Sequence, residues 1–490
     1  MMPVLYACSM NRAGEHVVQR TALDDYIHQP DPSWTWTLEG EIWQTVADVP
    51  NAKVKRYQVS MVSQTWTAAI KYGVSPPAWH HRLVIYRPET VRSDKAFLFI
   101  DGGTRYPSNP EEGDITHDIF NQVDFARIAA KTGAVVVDLK DVPNQYLRFS
   151  DGKPRKEDDL IAWTWYHFLH EPDDNESLLL QFPMVKSAVR AMDTVQAVLS
   201  YKGVNVERFV LAGASKRGWT AWLTAAVDER TDSLIPVVID ILKGEAFIDH
   251  VYKAHQGPIP ALSDYYASEH NVIAYAHTPE MQRLLMLVDP YRYRDRLKMP
   301  KYIVTASGDD FFPPDSARLY LDELLGPTWM RTFPNSRHYV FRDPGGLARA
   351  TDTFEAFLGV RVENRFLPDV AWRLSAPGRL SATMDRCPKR ATLWQVTNPY
   401  ARDFRMTALA TNGLQYNPAA VTLLHGETCQ FSIDIDTPKT GWTAWFVELA
   451  FDNAPYPDIV LTSKVSVIPD LYPDSCYTSG NQSDACFTNG

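Results

Sequence analysis

Cysteine is scarce in this chain: five among 490 residues, at Cys8, Cys387, Cys429, Cys476 and Cys486. No two have CxxC spacing, which excludes a zinc site of that type, and no metal is expected. Cys476 and Cys486 share a polar tail, where a small disulfide loop and two unpaired thiols both fit. Long apolar runs are missing as well, so no transmembrane segment is expected. The first residues, MMPVLYACSMNRAGEHVV, lack the basic start and long apolar middle of a secretory signal, so no signal peptide is expected there. Low-complexity tracts and internal repeats are absent. A surplus of positive charge is also lacking. Lysine and arginine number 49 against 59 acids, a net charge of −10, which excludes nucleic acid as the main partner.

What is present is a large apolar fraction, enough to bury a sizeable core. Phe97 to Ile100, Ala134 to Val137, Phe209 to Ala212, Pro236 to Ile239 and Tyr302 to Thr305 are short, nearly continuous apolar runs. Parallel strands covered on both faces have this pattern. Helical periods lie between them: Val185, Ala188, Val189, Met192, Val195 and Leu199 share one helical face. The alternation predicts an α/β fold, a mostly parallel sheet with helices on both faces. Residues 1–90 form a tryptophan-rich, β-rich segment joining that core, and 91–360 the core itself. The stretch 242–299 breaks the rhythm and is expected to be a helical cap over the sheet's carboxyl edge. Its Phe247, Tyr252, Tyr265 and Tyr266 would line a pocket. Residues 368–470 contain LWQVTN, VTLL, FSIDID, GWTAWFVELAF and IVLTSKVSVIP, which predict a β-sandwich-like domain before the polar tail 471–490.

The sharpest chemical signal is RFVLAGASKRGWTAWLTAAV (208–227): a strand, then Gly213-Ala214-Ser215, then a helix. A serine on a tight strand-to-helix turn projects its hydroxyl above the sheet, and the helix start offers N–H groups to an oxyanion. The usual form is G-x-S-x-G. Here Arg217 holds the second glycine's place and Gly218 follows. A serine nucleophile needs a base, and the base an orienting acid. KYIVTAS ends in Gly308-Asp309-Asp310, and TWMRTFP leads to His338, so acid and base follow strand ends in the order Ser, acid, His. Asp309 is preferred as the acid, with Asp310 and Asp240 as alternatives. Lys216 N–H and an N–H of Gly103 or Thr104, in the turn after Ile100, are the expected oxyanion donors. Lys216 and Arg217 oppose the helix dipole. Either acids such as Asp240 or Glu245 neutralise them, or one, Arg217 being the better suited, binds an anionic substrate group.

Other residues favour plainer roles. His250, His255, His270 and His277 lack the spacing of a helical metal site and fit core or rim positions, as do His80 and His81. Trp163, Trp165, Tyr166 and Phe168 fit a core better than a substrate platform. Asn175-Glu176-Ser177 and Asn481-Gln482-Ser483 match the N-glycosylation pattern.

Several stretches agree, in order, with one family: VSMVSQTW (59–66), DVPNQYLRF (141–149), EDDLIAWTW (157–165), PMVKSAVRAMDTVQ (183–196), FVLAGASKRGWTAWLTAAVDERTDSLIPVVID (209–240) and ASGDDFFPPDS (306–316). The chain resembles the PhoPQ-activated pathogenicity-related protein family, which also includes an amoebal autocrine proliferation repressor. The resemblance implies an α/β-hydrolase fold and an exported, periplasmic or extracellular protein. The same G-x-S-x-x-G form occurs in glucuronoyl esterases. Together these readings predict a serine hydrolase without cofactor, acting on a small-molecule or polymer ester, with a peptide or amide bond as second choice. A signalling or binding protein on a hydrolase scaffold is the rival. Substrate identity and oligomeric state stay open.

Overall fold

The structure is a computed structural model that describes residues 20–106, 123–267, 269–426 and 428–473. Its centre is a nine-stranded sheet. In spatial order the strands are Thr35–Thr45, Lys53–Thr65, Ala78–Pro88, Val135–Leu139, Lys95–Ile100, Arg208–Ala214, Thr231–Val237, Lys301–Ala306 and Thr328–Phe333. The first three run antiparallel to their neighbours, and the last six are mutually parallel. One swap departs from chain order: the strand from Val135 lies outside the strand from Lys95. After the extra leading strand, this is the strand order of an α/β-hydrolase, with helices on both faces.

The continuous apolar runs explain the parallel part. Every residue of Lys95–Ile100, Val135–Leu139 and Lys301–Ala306 is buried. Successive side chains point to opposite faces. Leu98 and Ile100 join one core with helices Gln181–Ser200 and Lys216–Val227, while Phe97 and Phe99 join another with helices Phe125–Thr132 and Gly346–Val362. The predicted strand Pro236–Ile239 is displaced. It spans Thr231–Val237, and Val238 leaves the sheet with a φ of 44°.

Between 242 and 299 the chain forms helices Gly244–His255, Ser263–Tyr266 and Pro279–Val288 with short 3₁₀ turns between them. Phe247, Val251, Leu284 and Val288 join the first core. From Val370 to Ile468 two antiparallel sheets follow, one of four strands and one of five. Phe431 of one and Trp445 of the other lie in a single buried cluster. VTLL is not a strand of its own: Asn417–Ala420, in the five-stranded sheet, ends before it, and only its last residue belongs to Leu424–His425, in the four-stranded sheet. Cys387 and Cys429 form a disulfide, a pairing that no spacing announced. His425 Nδ1 lies 3.2 Å from Cys387 Sγ. Cys8, Cys476, Cys486 and Asn481 lie outside the described residues.

Candidate active site

Ser215 sits between the strand Arg208–Ala214 and the helix Lys216–Val227 with φ 56° and ψ −129°. A non-glycine residue at positive φ is strained and needs surrounding packing to hold it. That packing explains the displaced glycine. A Cβ on Gly213 would come within 2.5 Å of the Arg217 carbonyl oxygen, and one on Gly218 within 2.8 Å of the Gly213 carbonyl oxygen and of Ile239. Strand end and first helical turn therefore touch through two bare backbones. Gly218 is where the contact falls, and Arg217 can carry a side chain.

The three sequence-selected side chains meet. Ser215 Oγ lies 2.9 Å from His338 Nε2. His338 Nδ1 lies 3.0 Å from both Asp309 oxygens. Asp309 and His338 are buried. Asp309 also accepts hydrogen bonds from the N–H groups of Phe311 at 2.8 Å and Phe312 at 3.3 Å, which orient its carboxylate. Asp310, the first alternative, turns away and accepts from Thr407 Oγ1 at 3.1 Å. Asp240, the second, is buried beside Tyr320, whose hydroxyl donates to it at 2.5 Å. Burial pushes its carboxyl up to about 7, against the hydrogen bond from Tyr320.

The loops carrying acid and base are braced by the C-terminal part of the chain. Tyr416 donates its hydroxyl to the Ser307 carbonyl at 3.0 Å and exchanges two hydrogen bonds with the Asn335 amide. Met406 N–H donates to the Gly308 carbonyl at 3.0 Å. A Cβ on Gly308 would collide with Met406 Cγ at 2.2 Å, so this loop is fitted to its buttress.

The expected partners of Lys216 and Arg217 are replaced by others. Neither Asp240 nor Glu245 pairs with them. Arg217 grips Glu157 with two hydrogen bonds, at 2.8 and 2.6 Å, and donates Nε–H to the Val142 carbonyl at 2.5 Å. Lys216 Nζ lies 2.7 Å from Glu157 and 3.2 Å from Asp158. Glu157 and Asp158 open the helix Glu157–His170, which reaches the nucleophile turn from a distant part of the chain. Burial alone would raise the Glu157 carboxyl, but the charges of Arg217 and Lys216 outweigh it and hold it well below the usual range. Arg217 is thus committed to protein groups. Sequence reasoning gave Glu157 and Asp158 no role. Acids in a first helical turn suit the dipole whatever they touch, so nothing local marks them.

Two hollows meet at Ser215. One is polar and includes Gly102, Thr104, Lys156, Asp264, Arg342 and His338. The early turn contributes Gly102 and Thr104 to it, whereas Gly103, at φ 154°, packs against Asp141. The second hollow is apolar. Phe247, Tyr252 and Tyr265 from the 242–299 segment line it, and Tyr266 does not. Trp165 also lines it, against the expectation of a purely core role, while Trp163 and Phe168 are core residues. His250 is buried against Asp315 and Tyr472, and His81 against Ser63.

Ser215, Asp309 and His338 follow the carboxyl ends of the strands Arg208–Ala214, Lys301–Ala306 and Thr328–Phe333, joined in one hydrogen-bonded chain on an α/β-hydrolase fold. The comparisons narrow the class. The model of the family described as PhoPQ-activated pathogenicity-related protein matches residues 23–405. Autocrine proliferation repressor protein A of Dictyostelium discoideum is 32% identical over 492 residues, covering 95% of this chain and 93% of that one. The chain belongs to the PhoPQ-activated pathogenicity-related protein family. Among solved structures, the acetyl xylan esterase from Paenibacillus sp. R4 has a TM-score of 0.43 at 16% identity, over 70% of this chain and 92% of that one. Acetyl xylan esterase 1 from Thermoanaerobacterium sp. JW/SL YS485 has a TM-score of 0.42 at 16% identity, over 69% and 91%.

Proposed function

We propose that the protein is a serine esterase working through an acyl-enzyme. The observation that carries this is the unbroken contact from Ser215 Oγ through His338 to Asp309. Ser215 Oγ attacks the ester carbonyl carbon while His338 Nε2 takes the hydroxyl proton. Asp309 holds the Nδ1–H tautomer and stabilises the imidazolium. Lys216 N–H, at a helix start where N–H groups lack intrahelical partners, and an N–H of Gly103 or Thr104 receive the oxyanion. The C–O bond to the alcohol breaks and His338 returns the proton to it. Water, activated by the same histidine, then frees the acid and restores Ser215. The disulfide Cys387–Cys429 supports work in an oxidising compartment, outside the cytoplasm.

A second reading, a signalling protein that leaves the site unused, draws on the printed name of the amoebal relative. A fluorophosphonate probe separates the two. Labelling at Ser215, lost in Ser215→Ala, together with hydrolysis of p-nitrophenyl esters, supports the esterase. Folded protein that neither labels nor turns over supports the signalling reading.

A further inference from the structure

We infer that the apolar hollow beside Ser215 is an acyl chamber, and that the preferred substrates are esters of apolar acids well larger than acetate. This rests on the esterase reading and extends it to substrate class. The argument begins with the proton. The leaving alcohol must lie beside His338 Nε2 to receive it, and His338 lines the polar hollow, not the apolar one. The oxyanion turn, Gly102 and Thr104, also belongs to the polar side. Around the tetrahedral carbon, the direction left for the acyl group is the apolar hollow.

The wall of that hollow is built from far-separated parts of the chain: Trp165, Trp219, Phe247, Ile248, Leu262 and Phe312. Its polar groups are committed to protein partners. Asp158 accepts from Tyr265 at 2.8 Å and pairs with Lys216. Asp289 accepts from the backbone N–H groups of Gly244 at 2.8 Å and Tyr291 at 2.9 Å. Trp219 Nε1–H donates to the Val288 carbonyl at 2.6 Å. Trp165 stands edge-on to Trp219, with ring centres 5.9 Å apart, so the aromatic wall is fixed. A polar acyl group finds no partner there, and an acetyl group would leave most of the wall untouched.

p-Nitrophenyl acetate and p-nitrophenyl hexanoate test this, because they share a leaving group and differ only in the acyl chain. A buried methylene is worth about fourfold, so kcat/KM for hexanoate should exceed that for acetate by at least about tenfold. Ile248→Trp, which fills the chamber, should bring the ratio to about one. Fluorophosphonates provide a second measurement that needs neither a variant nor ester turnover: the wild type should react faster with a hexylphosphonate than with a methylphosphonate probe. Labelling at Ser215 with acetate equal to or better than hexanoate overturns the chamber and leaves the esterase standing. A folded Ile248→Trp protein with an unchanged ratio does the same. Absence of both labelling and turnover overturns the esterase reading, and this inference with it.

Discussion

Two sets of buried and half-buried ionisable groups flank Ser215, and they are wired differently. Toward the helix Glu157–His170, two cations meet two acids: Arg217 and Lys216 with Glu157 and Asp158. Every member has an opposite charge at close range, and the Glu157 carboxyl is held ionised. On the loop side one acid, Asp309, meets one histidine, and the histidine's far nitrogen faces the serine. The first set is closed, with its charges spent on one another. The second is open at one end, and only an open end can take a proton from a substrate-facing group. Four charges next to a nucleophile are therefore a framework here, holding the strained turn to a distant helix.

The largest effect expected from this contrast is at Asp309. Asp309→Asn keeps the shape but favours the wrong histidine tautomer, so kcat on p-nitrophenyl esters should fall about 10⁴-fold. Thermal unfolding should move little by comparison. A loss of both together would merge the two sets into one.

Glu157→Gln should do the opposite. It leaves Arg217 and Lys216 buried with half their countercharge, at a cost of about 3–5 kcal/mol in denaturant unfolding. An unchanged midpoint would show that the network does not hold the turn.

Asp240 sharpens the contrast through pH, because it belongs to neither set. Its carboxyl titrates at about 7 in the folded chain and at about 3.9 unfolded. A raised value means that the stability tied to the neutral form is complete below the unfolded value and is lost as pH rises toward 7. Asp240→Asn keeps an acceptor for Tyr320 and removes the titration. Its melting temperature should match the wild type near pH 4 and exceed it at pH 8. A constant difference across that range would reject the assignment.

The smallest effect belongs to Asp310, which is half-buried at the rim of the polar hollow and hydrogen-bonds Thr407. Asp310→Asn should shift stability by no more than about 0.5 kcal/mol and leave the kcat of p-nitrophenyl hydrolysis close to wild type. A loss near that of Asp309→Asn would reopen the choice of acid.

Much of the sheet was legible because its parallel strands are buried on both faces, and burial on both faces demands continuous apolar runs such as KAFLFI. The serine was legible because strand, small residues and helix are adjacent in the chain. The strand ending at Val237 was placed late because Val238 and Ile239 prolong the apolar run after the backbone has left the sheet. Trp165 was hidden for a related reason: a buried tryptophan in a core and one in a pocket wall have the same helical period.

The alternation of strands and helices, and the order of serine, acid and histidine after strand ends, can be read from the amino acids in chain order. These depend on neighbours in the chain, whose periodicity and turn chemistry are local. Which charges surround the nucleophile depends on packing across the sheet. That packing brought Glu157 to Arg217, and it braced the acid and histidine loops with Met406 and Tyr416. It also joined Cys387 to Cys429 and assembled an apolar wall from helices far apart in the chain. Such contacts depend on how helices and loops pack across the sheet, and a residue's pattern along the chain is the same whichever distant partner the packing supplies.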